Sequence, residues 1–536
     1  MKQKNGSQTA GGCILFFGMI FLVMLAAYAQ QPPQKTLPNV KIVEMKRAGL
    51  LYKTQESEAQ ILKDDVVFFH EGAYMYCDSA YMYETTNSFE AFGHVRMEQG
   101  DTLFVYGDFL YYDGNTRLAR LRENVRMEDR QVTLFTDSLN YDRNLNLGYY
   151  FDGGMLVDSL NELTSFWGQY DPTTKESLFS DSVKLTNPDY VIYADTLKYN
   201  TETKIATILG PSVIQSDSGY INTTRGWYNT VTDDSQLLDR SEVYSNDGSK
   251  KLVGDTILYN QKTGVGIVHG DMLLQDTLRK AIIRGNYGFY NDKTEYALAT
   301  DSAYAIDYSQ KDSLFLHGDT LIMKTDTLGR EIKAYHNVRF FREDIQGICD
   351  SMQFVSKDSI LYMYRDPVLW NQGNQISGDE INIHVNDSTI EKALVKTNAM
   401  AIQSREVDNQ YNQLSGRDLT AHFIDGEIHD ILVEGNATSL YYAFDEKDST
   451  IIGLNHTESP FLSMEFKNRK LEKLKIWSSP RAYMDPLSLL KPEDTKLKGF
   501  VWLDYLRPKN NRDIFRGNQR KKEDIDTNPK KRFVRD

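Results

Sequence analysis

Three features of the sequence predict one fold class, an all-β, elongated, solenoid-like stack of about 12 to 13 repeats of roughly 30 residues. The first is composition. The chain has 33 Tyr, 25 Phe and 35 Gly against 13 Pro, and its short segments rich in Val, Ile, Tyr and Thr favour strands over helices. The second is a recurring marker of a small residue, Asp, usually Ser or Thr, then an apolar residue, centred on Asp78, Asp108, Asp137, Asp195, Asp255, Asp319, Asp350 and Asp379. The Asp steps are 30, 29, 58, 60, 64, 31 and 29 residues, so each long step is two periods with a degenerate copy between, near Trp167, Trp227 and Asn286. The third is a Val about 12 residues before a marker Asp or its degenerate copy, at Val66, Val95, Val125, Val183, Val213, Val243, Val338 and Val368.

The elements follow in chain order. Residues 1–29 have the layout of a secretory signal peptide: Lys2 and Lys4, an apolar run from Ile14 to Ala27, and a small-x-small site at Ala27-Tyr28-Ala29. The run is shorter than the roughly 20 residues a spanning helix needs, so the mature chain is expected to begin at Gln30. Residues 30–44 read as a lead-in linker and 45–485 as the repeat domain. Residues 486–536 read as a basic, disordered tail in which Trp502-Leu503-Asp504-Tyr505-Leu506 stands out as a docking segment. Residues 507–536 carry eleven Lys or Arg against five Asp or Glu, whereas the whole chain carries −14. An acidic body argues against nucleic acid as a partner, because phosphate binding needs clustered cations.

Within a repeat the pattern alternates, as a strand with one buried and one wet face does. Val95 and Met97 alternate with Arg96 and Glu98, Val125 and Met127 with Arg126 and Glu128, and Leu139 and Leu197 carry the pattern through the Asp marker. Turn clusters such as Asp113-Gly114-Asn115 and Asn200-Thr201-Glu202-Thr203 separate the strands, giving three or four short strands per repeat. One such rung cannot bury its own apolar face, so the rungs must stack around a continuous core.

The chemistry-bearing residues point away from catalysis. The nine His are scattered, and no zinc, phosphate-loop or nucleophile-elbow spacing occurs. No cofactor and no metal is expected. The Asp at the repeat position is expected to accept hydrogen bonds within its own turn, since one carboxylate per repeat is too few oxygens for Ca²⁺. Cys77 and Cys349 share the slot that other copies fill with Gly, Thr or Ala, and are expected to be free thiols in a tight corner.

Ile61-Leu62-Lys63-Asp64-Asp65-Val66-Val67-Phe68, then Ala73-Tyr74-Met75-Tyr76-Cys77-Asp78-Ser79-Ala80, resembles the OstA-like (organic solvent tolerance) family, and Phe92-Gly93-His94-Val95-Arg96-Met97 with Gly107-Asp108 resembles its next rung. That family includes the periplasmic lipopolysaccharide-transport protein LptA and the N-terminal domain of its outer-membrane partner LptD. The resemblance implies a stacked β-jellyroll with an apolar groove that carries lipopolysaccharide or a related lipid toward the outer membrane, in the periplasm, between inner- and outer-membrane components of a transport machine. On that reading Val66, Val95, Met97, Leu110, Val125, Met127, Leu139, Val183, Leu185, Leu197, Val213, Val243, Ile257, Val338, Phe340 and Val368 are the groove-lining candidates. Packing of a closed core predicts the same pattern. The alternative of a different class is a structural or adhesive β-repeat protein that binds glycan or protein on an exposed Tyr-rich face; a β-helix enzyme acting on glycans is a third.

Overall fold

The computed structural model describes residues 42–521 apart from 56, 328, 387–389, 406–408, 426, 446–449 and 468–469. The expected signal peptide, with Cys13, and the end of the tail lie outside the described residues. The chain is all-β, with 42 strands and only short 3₁₀ turns after Asp485, among the described residues. No helix among them is long and apolar enough to cross a membrane. Two compact units form, one of residues up to 125 with 139–145, the other of residues 126–138 with 146 onward.

Both units use one plan, set by a bend in the middle of the strand. The strand Gln60–His70 pairs with Ala73–Tyr83, but the register jumps between Lys63 and Val66. The residues skipped are Asp64 and Asp65, both left-handed at φ 62° and 58°. Glu123-Asn124, Asp181-Ser182, Asp239-Arg240, Asp301-Ser302, His336-Asn337 and Thr397-Asn398 are also consecutive left-handed pairs. A left-handed residue costs roughly 1–2 kcal/mol unless it is Gly, Asn or Asp, which explains why each of these pairs contains an Asp or an Asn. Each pair turns the strand out of one sheet and into another. In unit one, residues 60–63, 79–83 and 88–92 therefore join a first sheet, and 66–70, 73–77 and 95–99 a second.

Unit two repeats this with little variation. First-sheet segments pair with first-sheet segments, as in Ile205–Ile208 with Arg225–Asn229, and second-sheet segments with their own kind, as in Gly219–Thr223 with Ser241–Ser245. The inward faces meet in a sandwich. One ladder of paired residues runs along the inner face of the second sheet as Leu156, Leu163, Leu185, Ile192, Ile214, Ile221, Val243, Leu252, Leu274 and Ile283. The small residue before each Asp has a steric cause: Val66 faces Cys77 and Val338 faces Cys349 where the strand bends. Both cysteines are buried and free, and burial pushes the Cys77 thiol up to about 12 and raises Cys349 as well.

Two sequence expectations are corrected here. The repeat Asp does not serve its own turn; it stands on a strand opposite a neighbouring bend and accepts from it. His94 Nδ1 lies 2.7 Å from Asp78, Asn124 donates to Asp108 at 2.6 Å, Asn337 to Asp319 at 2.9 Å, and Asn398 to Asp379 at 3.0 Å. Asp255 takes Arg240 at 3.3 Å and Asp350 meets His336 at 3.2 Å. Asp137 and Asp195 occupy the same slot in strands Val132–Asp142 and Tyr190–Asn200. Gly93, at φ +75°, shows how close the approach is, since a Cβ there would sit 2.4 Å from the Asp78 carboxylate.

The basic tail is not free over its first part. Residues 487–521 run back along the outer face of the second sheet as a strap. Leu503 and Leu506 pack on Ile348, Val368 and Trp370, while Leu490 and Leu497 pack on Leu440, Tyr442 and Leu454. Gln375 and Gln413 each hold the strap's backbone with both ends of the amide: Gln375 donates to Val501 O at 2.7 Å and accepts from Leu503 N at 2.7 Å, and Gln413 does the same with Thr495 O and Leu497 N at 2.7 and 2.8 Å. Arg339, 0% exposed, donates to Leu506 O, Asp513 O and Asn518 Oδ1, and burial lowers its guanidinium to about 10. The apolar residues spaced through an otherwise charged stretch drive this docking.

Candidate functional site: a latched seam and an apolar cavity

Opposite the bends, the tight turns of the two sheets face each other along a seam. In unit one Arg143, from a first-sheet turn, reaches into the second sheet and donates to His70 O and Glu71 O, both at 3.0 Å, and to the Tyr112 hydroxyl at 2.8 Å. Arg117 pairs with Glu71 at 2.5 Å.

Unit two latches its seam with a repeated trio. Tyr170 donates to Asp129 at 2.8 Å and Lys175 pairs with the same carboxylate at 2.5 Å. One rung on, Tyr199 donates to Asp158 at 2.6 Å and Lys204 pairs with it at 2.8 Å. Farther along, Lys250 meets Asp292 at 3.0 Å, Tyr290 donates to Asp292 at 2.8 Å, and Arg279 bridges Asp276 and Glu295, each at 2.8 Å. Burial acts to raise Asp158, yet Lys204, Tyr199 and the amides of Leu160 and Asn161 hold it below the usual carboxylate range. Burial followed by Asp129 raises the Tyr170 phenol, so it stays a donor. Removing one partner of a buried pair of this kind costs about 3–5 kcal/mol.

The tyrosine rings fill the interior below these latches. Along the inner face of the first sheet, one ladder reads Gly148, Tyr170, Ser177, Tyr199, Ala206, Tyr228, Ser235, Tyr259, Gly266, Tyr290, Ala297. A large ring alternates with a small neighbour that leaves room for it, and the core is closed. The same ladder then changes character to Met323, Ile332, Phe354, Leu361 and Ile383. All five line a cavity of about 460 Å³, which also takes Ile283, Leu316 and Phe340 from the second sheet. Its rim is polar and comes from the seam turns: Asp307, Asp312, Ser356 and Arg342, with Asp312 exposed, so the cavity opens to solvent there. Its volume lies within the range of ligand pockets.

The groove-lining candidates divide accordingly. Phe340 lines the cavity. Val66, Val95, Met97, Leu110, Val125, Met127, Leu139, Val183, Leu185, Leu197, Ile257 and Val338 are buried in packed interior, and Val243 is half-buried on the inner ladder. Val213 is 38% exposed on the outer face, because its partner in the alternation, Ile214, takes the inward place. Val368 also faces outward, beneath the strap. The sequence candidates were centred on the Val and Asp markers, whereas Met323, Phe354 and Ile383 stand four residues past a marker Asp and Ile332 and Leu361 several residues before a marker Val.

Residues 41–195 match the family described as OstA-like protein. The OstA-like stretch ends well short of the cavity, yet the paired inner ladders continue in register beyond it to Met464. Among solved structures the chain is similar to LptH, the LptA-homologous periplasmic component of the lipopolysaccharide transport device of Pseudomonas aeruginosa, at 12% identity over 31% of this chain and 92% of that one, with a TM-score of 0.16. No curated protein matches the sequence.

Proposed function

We propose that this chain is an exported periplasmic scaffold that binds lipopolysaccharide or a related lipid between its two sheets and passes it toward the outer membrane, with membrane proteins of a transport machine at either end and no catalytic step. The OstA-like stretch supports the class of function. The observation that carries the reading is the cavity lined by Met323, Ile332, Phe354, Leu361 and Ile383, an apolar space with a polar, solvent-facing rim. Burying an acyl chain there is favourable by about 0.8 kcal/mol per methylene, with no covalent chemistry required.

Native mass spectrometry with lipid extraction, on protein purified from its own periplasm, tests this. The intact chain is expected to carry lipid A-type species, and Ile332→Asp or Phe354→Asp protein with unchanged circular dichroism is expected to lose them. A lipid-free chain that also fails to take up added lipopolysaccharide would overturn the proposal in favour of a structural or adhesive repeat protein.

A further inference from the structure

Lipid can reach the cavity lengthwise through the rungs or sideways through the seam, and the two halves of the first-sheet ladder treat these routes differently. From Gly148 to Ala297 the interior holds alternating tyrosines and small residues, and the seam above it is crossed by Lys175–Asp129, Lys204–Asp158 and Lys250–Asp292. A chain sliding lengthwise through these rungs would have to displace each ring and break each buried pair in turn. From Met323 to Ile383 the ladder holds no tyrosine, Phe354 being its one ring, and the rim faces solvent.

We propose that lipid enters and leaves sideways, through the seam beside residues 305–390, and that the latched rungs from 129 to 297 are a closed wall and carry no cargo. The inference rests on the lipid-binding reading and narrows it from a conduit along unit two to a single lateral station. Its upstream end is built: Tyr290, Arg279 and Glu295 line a space of only about 20 Å³ next to the cavity.

The station also has a polarity. Arg330 lines both spaces, half-buried where the wall meets the cavity. Burial lowers its guanidinium, and the charges acting on it are Asp307, Arg279 and Asp276. An acidic headgroup of an amphiphile whose tail lies along Met323, Ile332 and Phe354 would meet this cation. The occupant is therefore an anionic lipid, bound tail inward and head toward Arg330.

Seam locking tests the route. In a Cys77→Ala, Cys349→Ala background, the pair Asp158→Cys and Lys204→Cys is joined by a short bis-maleimide, and separately Asp307→Cys and Ser356→Cys by one long enough to span the rim. Uptake of added lipopolysaccharide is then measured on the full chain. The rim lock is expected to abolish uptake and to trap lipid loaded beforehand, whereas the wall lock leaves both unchanged. Equal loss from the wall lock, or uptake through a locked rim, would overturn the lateral route while leaving lipid binding intact. Absence of uptake in the unlocked chain would remove the lipid-binding reading itself. Arg330→Gln is expected to weaken palmitate binding about tenfold and leave neutral monopalmitin unchanged; equal weakening of both would show that Arg330 only supports the wall.

Discussion

Residues 129–297 and 305–390 are built on one plan, with the same bends, the same sheet exchange and the same cross-strand ladders, yet one stretch is solid and the other hollow. The difference lies in a single ladder position. Where it is tyrosine, the ring fills the interior, and at Tyr170, Tyr199, Tyr228 and Tyr290 the hydroxyl also reaches a carboxylate, so one side chain serves both packing and closure. Where it is Met, Ile, Phe or Leu, both are lost together. A repeat architecture can thus turn core into cavity without changing its backbone, because each rung contacts only its neighbours.

The comparison is broken most severely at the latch. Asp158→Ala leaves Lys204, the Tyr199 hydroxyl and the Asn161 backbone N–H without their acceptor, and is expected to cost about 3–5 kcal/mol. Hydrogen exchange across Tyr190–Asn200 reads this locally, and lipid uptake should be unaffected. Next in size is Arg339→Ala, which strands the carbonyls of Leu506 and Asp513; a loss of about 2–3 kcal/mol is expected, seen as faster proteolysis within 487–521.

Filling the cavity sharpens the contrast from the other side. Met323→Tyr restores a ring beside the small Ala297 and is expected to stabilise by about 1 kcal/mol in thermal unfolding while reducing lipid uptake. The latch has an acid limit as well. Asp158 is held below its unfolded value of about 3.9, so its stabilisation is complete above that value and disappears only as pH falls through the lower folded one. An acid titration followed by exchange at Tyr190–Asn200 should show protection persisting at pH 4; earlier loss would mean the carboxylate is not held by Lys204. Smallest of all is Asp108→Ala, which removes one exposed hydrogen bond from Asn124 and is expected to cost under about 1 kcal/mol in denaturant midpoint.

Much of the fold was legible because period and alternation are sequence properties. The Val and Asp markers located the rungs, and the small residue before the Asp announced the crowding at Cys77 and Cys349. The bends were harder to read: Asp64-Asp65 or Glu123-Asn124 look like solvent-facing residues of a strand, and their left-handed backbone leaves only a weak preference in composition. The latches did leave a signal. Asp129 and Tyr170 are separated by 41 residues, as are Asp158 and Tyr199, with the lysine 46 residues from the acid in both cases. A tyrosine within an apolar alternation reads as packing alone, so its partner two turns earlier in the chain goes unsought. Hollowness had no signal, since Met323 or Ile332 would suit a filled core equally well.

The strap carries a consequence in time. Its anchors, Arg339, Gln375 and Gln413, belong to the rungs that form the cavity or follow it, but the segment they hold is near the end of the chain. Domains built from the N-terminus onward fold as they emerge, so the walls of the station are assembled before their outer brace arrives. Until residues 487–521 have been made and have docked, Ile348, Trp370 and Leu440 lack the apolar cover that the strap gives them.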